Sequence, residues 1–377
     1  LWRKVFKMLL SNPFIGAFGL DIGDLSIKLI QLERRRNWRL QKQFRIKEVR
    51  SVTLPAGYIV GGEIQQPEMV RQKLLYLLGK DAKKGHYKKI ASPYVVVDLP
   101  EPKTFLKLIS IDLPQEELTE EDVFYQAKKH LPFELEETYL DWQFVSEGSV
   151  PGKSSRVLIG AAPKTIADSY TYLLESVGLS PVALEIEALS LVRALITAGK
   201  SYEGEARGIL DLGATRSSFI VYDEGTVQFS TSLTFSGELV NTALIQGLKI
   251  DYLAAEELKI KNGLTYDPKH PAYLKIVSDL VEKLAEEISR TLLFYKQHFS
   301  SQNPITHLTL GGGMANFKNL DNILSRKLKI AAHPGQAFKN LGSAYLDHLT
   351  QEQALTFVSA IGLSLRAAHN LWQNNSL

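Results

Sequence analysis

Two short turns hold the residues best suited to phosphate chemistry, Asp21-Ile22-Gly23 and Asp211-Leu212-Gly213. A phosphate chain needs backbone N–H groups aimed at it with no side chain in the way, and a tight turn with glycine at its closest approach supplies them. Gly23 and Gly213 meet that need. Phosphates in a cleft also call for magnesium, held through waters by carboxylates at the ends of the preceding strands. Asp21 and Asp211 are placed for that metal. A single Asp-x-Gly is a common structural turn. Two copies at matching places, 190 residues apart in a chain of 377, are far more specific.

Three further features fit the same chemistry, each beside a plainer reading. Gly311-Gly312-Gly313 lets a flat or charged ligand lie against backbone near a helix start, or serves as a flexible loop. Glu256 and Lys259 share one helical face, where they suit ribose hydroxyls or make a surface ion pair. Glu187 opens a helix between the halves. It would position a water on a terminal phosphate, although the helix dipole explains a carboxylate there equally well. Lys28 faces either a phosphate or solvent.

The elements that must position these residues follow from patterning. Phe18–Ile22 reads as a buried strand, and Ser26–Leu32 alternates like a strand with one buried face. Trp38–Val52 gives a third strand after an arginine-rich turn, Pro67 opens a helix, and Tyr94–Leu99 is a short buried strand. The second half starts again at Arg207–Leu212, followed by Ser217–Tyr222 and Thr226–Leu233. A period of half the chain means a duplicated domain rather than a solenoid. Between the halves, Phe105–Asp112, the helix Thr119–His130 and the strand Tyr139–Val145 look like a compact insertion. It leaves through a Ser- and Gly-rich loop at Ser146–Ser155, after which Val157–Ala161 resumes the first domain. The second half continues with helical segments at Gly237–Lys249 and Tyr252–Lys261 and a long helix over Ala272–His298. The strand Ile305–Leu310 runs into the three glycines, followed by helices at Asn316–Leu328 and Gln353–Ala368.

Composition excludes other classes. The 44 basic and 41 acidic residues leave a net charge of +3, too balanced for a nucleic-acid footprint. The absence of cysteine removes disulfides, thiolate nucleophiles and zinc–cysteine sites, and fits a reducing cytoplasm. No GxxxxGK[ST], HExxH or GxSxG occurs, and the eight histidines have no metal-ligand spacing. No apolar run approaches the roughly 20 residues of a membrane span. Leu9–Leu20 is broken by Asn12, Pro13 and two glycines, which argues against a signal peptide. The chain opens on Leu rather than Met, so a short preceding segment is expected. The basic amphipathic opening, Leu1–Leu9, is either a membrane-surface foot or a helix end packed on its own domain.

Gly19-Leu20-Asp21-Ile22-Gly23, Leu210-Asp211-Leu212-Gly213-Ala214-Thr215 and Leu310-Gly311-Gly312-Gly313 resemble the phosphate-one, phosphate-two and adenosine motifs of the actin-like ATPase superfamily. Ala255–Lys259 resembles its ribose-contacting E-x-x-K helix, and Phe357–Arg366 its closing connecting helix. Within that superfamily, the chain resembles the PilM family of type IV pilus assembly proteins, relatives of FtsA, over nearly its whole length. Gly19–Leu32, His130-Leu131-Pro132-Phe133 with Tyr139–Phe144, and Phe357–Arg366 carry this most specifically. The resemblance implies an α/β protein of the actin-like ATPase fold, with two duplicated RNase H-like domains and a small FtsA-like inserted subdomain. Residues 1–100 and 153–200 would form the first domain (subdomain IA) and 101–152 the inserted subdomain IC. Residues 201–377 would form the second domain, with IIB at about 236–304.

It implies ATP with Mg2+ bound by Asp21, Gly23, Asp24, Ser26, Lys28, Asp211, Gly213, Ala214, Thr215, Glu256, Lys259, Gly311, Gly312 and Gly313. Asp21 and Asp211 would serve the metal, and Glu187 would be the catalytic residue of a weak or absent ATPase. The first turn has Asp24 where the family usually has Ser; it would bind metal, weaken ATP or point away. The implied partner is the N-terminal cytoplasmic tail of a PilN-like membrane protein, in a groove between IA and IC lined by Phe105–Asp112 and Thr119–Leu131. Other pilus assembly components are further candidates. The protein would then lie peripherally at the inner face of the cytoplasmic membrane. An FtsA-like division filament protein is the second reading, and a small-molecule kinase of the same fold the third.

Overall fold

The computed structural model describes residues 12–35, 43–81, 87–150, 154–299, 303–341 and 349–369. The basic opening stretch, the arginine-rich turn and the last residues of the chain lie outside them.

The chain begins with antiparallel strands β1 (Phe18–Ile22), β2 (Ser26–Arg35) and β3 (Gln43–Thr53). A short hairpin, β4 (Ile59–Val60) and β5 (Glu63–Ile64), leads to helix α1 (Pro67–Leu77) and strand β6 (Tyr94–Leu99). A 3-10 turn at Glu101–Lys103 enters β7 (Phe105–Ile111), α2 (Glu120–Lys128), β8 (Thr138–Val150) and β9 (Ser154–Pro163). Helix α3 (Lys164–Ser176), strand β10 (Ser180–Ile186) and helix α4 (Glu187–Leu195) close the first half. The second half holds β11 (Ala206–Leu212), β12 (Ser217–Asp223) and β13 (Thr226–Leu233), then α5 (Gly237–Leu248), α6 (Tyr252–Asn262) and α7 (Tyr273–His298). Strand β14 (Ile305–Gly311), α8 (Leu320–Leu328), β15 (Ala331–Pro334), α9 (Gln351–Thr356) and α10 (Val358–Ala368) complete it.

The duplication is plain in the sheets. The first runs β10-β6-β1-β2-β3, and the second contains β15-β14-β11-β12-β13 in the same order. In each, the first strand forms antiparallel hairpins onward, and the later strands join it in parallel from the other side. All five β1 residues are buried, because a central strand with both faces covered has no solvent face to alternate toward.

The inserted sheet extends the second. Strand β7 joins β13 at a single pairing, Phe229 with Lys107, and β9 and β8 follow outward. This corrects the expectation for Val157–Ala161, which lie in β9 at the centre of the insertion and not in the first domain's sheet. Val157 and Ile159 pack on Val123 and Ala127 of α2, while Leu158 faces the main core. A strand buried on both faces reads alike in either sheet. The expected exit loop is instead largely strand, since β8 runs to Val150 and pairs there with Ser154. Strand β7 is internal, so the free edge of the insertion is β8.

Helices α4 and α10 pack against each other between the halves. A Cβ on Gly362 would stand 1.9 Å from the Ser190 carbonyl oxygen, so only glycine permits this crossing. Glu185 accepts from Arg193 at 2.7 and 2.6 Å and from Arg366 at 2.6 Å, which ties the two helices to β10. Burial pushes its carboxyl up, but the two guanidinium groups outweigh burial and hold it below the usual range. The expected closing helix breaks at Phe357 into α9 and α10, and a 3-10 turn at Gly313–Asn316 precedes α8.

Candidate functional site

Each hairpin is closed by one backbone bond across its turn. Gly23 N donates to Ser26 O at 3.0 Å, and Gly213 N to Arg216 O at 2.8 Å. Among the described residues, the amides of Asp24, Leu25, Ala214 and Thr215 donate to no other backbone group, which leaves N–H groups for an anion at both tips. Register then decides the charges. Lys28 lies opposite Asp21, and its Nζ stands 3.1 Å from Oδ2. Burial alone would lower this ammonium, but Asp21 foremost, with Asp211 and Asp98, raises it. Opposite Asp211 the matching place holds Ser218.

Asp211, next to last in β11, is partly buried and lies near the acidic Glu187 and Asp21. Burial first, then Glu187 and Asp21, pushes its carboxyl up to about 8 against Lys28 and Arg216. Glu187 is the first residue of α4, and its Oε1 lies 3.5 Å from Ser359 Oγ of α10. Burial raises this carboxyl as well, with Asp21 adding to the effect and Arg216 opposing it. Asp98, at the end of β6, is 5% exposed and has an Oδ2 with no hydrogen-bond partner. Burial, Asp21 and Glu187 raise it well above the usual range.

The glycine run closes on the second hairpin. Asp211 and Gly311 are register partners, and a Cβ on Gly312 would meet the Leu212 carbonyl oxygen at 2.3 Å. The E-x-x-K pair reaches the same hairpin from α6. Lys259 Nζ is 2.6 Å from Glu256 Oε2 and 3.4 Å from Gly237 O, and Gly237 N donates to Gly213 O at 3.1 Å. Asn241 adds a bond to Glu256 at 2.7 Å. The structure therefore brings Asp21, Lys28, Glu187 and Asp211 within electrostatic reach of one another, closes the two turns on Gly23 and Gly213, and sets Gly311, Gly312 and the Glu256–Lys259 pair against the second hairpin. Ser26 contributes its carbonyl to the turn. Asp24 is turned aside: its carboxylate accepts from Gly61 N and Gly62 N, each at 3.0 Å.

Sequence reasoning missed Asp98, Glu101 and Arg216. Asp98 had a signal, since an acid closing an otherwise apolar strand repeats the pattern of Asp21 and Asp211. Arg216 had little, because its turn was read for its glycine. Glu101 follows Pro100 in a turn that looks solvated, yet it is 6% exposed. Burial pushes it up to about 7, with a nearby Ser230 hydroxyl opposing and Glu187 adding.

Asp21, Asp98, Glu101, Glu187 and Asp211 share this space with Lys28 and Arg216, so acidic groups outnumber basic ones, and burial favours the protonated form of Asp98, Glu101, Glu187 and Asp211. Such a set fits a divalent cation, which would replace those protons. Among the described residues no group of three or more acidic or histidine side chains is arranged to hold a metal directly.

The family model of the type IV pilus assembly protein PilM matches residues 19–368. Among solved structures, the PilM-PilN type IV pilus biogenesis complex matches with a TM-score of 0.77 at 23% identity, over 95% of this chain and 100% of that one. The ethanolamine utilization protein EutJ from Carboxydothermus hydrogenoformans matches with a TM-score of 0.53 at 15% identity, over 92% of this chain and 88% of its own. Diol dehydratase-reactivating factor in nucleotide free form gives 0.52 at 10% identity, over 93% and 99%. The fold is the actin-like ATPase fold expected from the paired motifs. The match over residues 19–368 places the chain in the PilM family of type IV pilus assembly proteins.

Proposed function

We propose that this chain is an ATP-binding scaffold of the type IV pilus inner-membrane assembly platform. It would hold Mg-ATP between its two hairpins and grip the N-terminal cytoplasmic tail of a PilN-like membrane protein beside the inserted subdomain. The observation that carries this reading is the pair of matching hairpins, with tip N–H groups that no backbone carbonyl among the described residues takes up and an excess of carboxylates between them. Gly23, Asp24, Ser26, Gly213, Ala214 and Thr215 would line the phosphates, with Lys28 as counter-charge. Asp21 and Asp211 would hold the metal's waters. Glu256 and Lys259 would take the ribose, and Gly311, Gly312 and Gly313 the base. Glu187 would orient a water, with little or no turnover.

The insertion supplies a route from this cleft to a partner. Its β7 pairs with β13 of the second domain, and its Arg156 forms a 2.6 Å ion pair with Glu224 in the β12–β13 turn. On the first-domain side, Tyr139 of β8 donates to Asp168 of α3 at 3.1 Å, beside an exposed Tyr172. A nucleotide that changed the angle between the halves would shift the insertion against α3, where a peptide would lie. The PilM-PilN match supports this choice of partner. Work at the inner face of the cytoplasmic membrane would come through that partner, since no helix among the described residues is long and apolar enough to cross a membrane.

Calorimetry with a PilN-like tail peptide, with and without Mg-ATP, tests the proposal. Peptide binding whose affinity changes with Mg-ATP is the expected result. No peptide binding in either state would overturn it.

A further inference from the structure

Among the described residues, one ion pair joins the turns of the two hairpins. Arg216, in the turn of the second, places Nη1 3.3 Å from Oδ1 of Asp24, in the turn of the first. The two partners are unequally satisfied. Asp24 has its two backbone N–H bonds from Gly61 and Gly62 independently of the arginine. That support is stiff, because Gly62 has φ +82°, its carbonyl accepts from Tyr170 Oη at 2.9 Å, and a Cβ there would stand 2.3 Å from Pro100. Arg216 Nη1, by contrast, is buried without a hydrogen-bond partner, its distance to Asp24 lacking the geometry of one.

An arginine can leave such a pair cheaply. The carboxylate keeps two N–H donors, while the guanidinium gains the donor–acceptor geometry that it lacks. After burial, the charge that acts most strongly on Arg216 is Glu187, the residue assigned to the terminal-phosphate end of the site. A guanidinium fork matches two phosphate oxygens in a way that a lysine does not.

We propose that Arg216 is a specificity residue for the terminal phosphate of a nucleoside triphosphate, held by Asp24 as a stand-in until that phosphate arrives. The inference rests on the nucleotide reading above and adds to it a means of telling triphosphate from diphosphate. Binding of the triphosphate exchanges the Asp24 contact for a phosphate contact and so unlocks the β4–β5 turn from the second hairpin. Binding of the diphosphate leaves the latch closed.

The test is calorimetry of the full chain with Mg-ATP and with Mg-ADP, for the unaltered protein and for Arg216→Gln, Arg216→Lys and Asp24→Asn, each checked for a cooperative thermal transition. Arg216→Gln is expected to weaken Mg-ATP on the order of tenfold or more while moving Mg-ADP far less, and Arg216→Lys to recover part of the loss. Asp24→Asn is expected to tighten Mg-ATP several-fold, because it releases the arginine. The proposal is overturned if the preference for ATP over ADP is unchanged in Arg216→Gln. It is equally overturned if folded Asp24→Asn binds Mg-ATP more weakly. An unaltered chain that binds neither nucleotide overturns the nucleotide reading itself and the latch with it.

Discussion

The two phosphate hairpins share one backbone plan and differ in how their acids are answered. In the first, Asp21 meets Lys28 across the ladder at 3.1 Å. In the second, the same ladder position holds Ser218, and Asp211 is pushed up to about 8. The turns differ as well, with an acid in the first and an arginine in the second. Duplication thus kept the strand order and the glycine of each turn, while charge was divided between the copies. One hairpin carries its own counter-ion, and the other waits for one.

Removing that counter-ion should have the largest effect. Lys28→Met leaves Asp21 unpaired beside Asp98 and Asp211, and should cost about 2 to 3 kcal/mol in urea unfolding, somewhat under the loss from a fully buried pair. Asp211→Asn should do the reverse to the ligand-free protein, leaving stability unchanged or higher while abolishing Mg-ATP binding by calorimetry.

The turns should respond unequally to one methyl group. A Cβ at Gly213 would lie 2.5 Å from the Arg216 carbonyl oxygen, whereas one at Gly23 would stand 3.4 Å from Ser26 O. Gly213→Ala should therefore cost roughly 1 to 3 kcal/mol, as overpacking does. Gly23→Ala should stay within about 0.5 kcal/mol. Equal losses in thermal unfolding would show that the hairpins are equivalent after all.

The pH response sharpens the same contrast. Asp211 rises from 3.8 to about 8 and Glu101 from 4.5 to about 7 in the folded chain. Between those limits the folded form keeps protons that the unfolded chain has released. Stability without ligand should therefore be greatest at the acid end of this window and fall as pH rises through it, by up to about 1.4 kcal/mol per pH unit per proton. Mg-ATP needs Asp211 ionised, so its affinity should rise over the same range, with protons released on binding. Thermal midpoints and calorimetric affinities between about pH 6 and about pH 8.5 would check both signs, and Asp211→Asn should flatten the stability slope. The smallest effect is expected from Glu187→Gln, whose Mg-ATP affinity should stay within about threefold, since binding does not rest on that carboxylate.

Another acidic residue shows why burial alone does not mark a site. Glu185 is as deeply placed as Asp98, but Arg193 and Arg366 satisfy it, and it serves to join α4, α10 and β10. Asp98 keeps a buried oxygen without a hydrogen-bond partner, near Asp21 and Glu187. A buried acid with its partners in place is structure; without them it is an invitation to a cation.

Much of the architecture was legible because it is local. The apolar run ending in Asp, the glycine turn and the alternating return strand are set by neighbouring residues, and their recurrence after half the chain revealed the duplicated domain. What was illegible depended on partners far away in sequence. The run Val157–Ala161 is apolar on both faces, so nothing in it says which sheet it joins; pairing with β7 and β8 decided that. Asp24 looked like an added charge beside phosphates until the Gly61 and Gly62 amides and Arg216 took it up.

By itself, then, the sequence determined the repeat of strand, turn and strand, the two turns and the acids at their bases, because steric freedom at glycine and hydrophobic periodicity act over a few residues. Only the tertiary structure decided the surroundings that push the Asp211 carboxyl up. A carboxylate's protonation depends on what surrounds it in three dimensions, and Glu187, Asp98 and Arg216 reach Asp211 and Asp21 from separate parts of the chain.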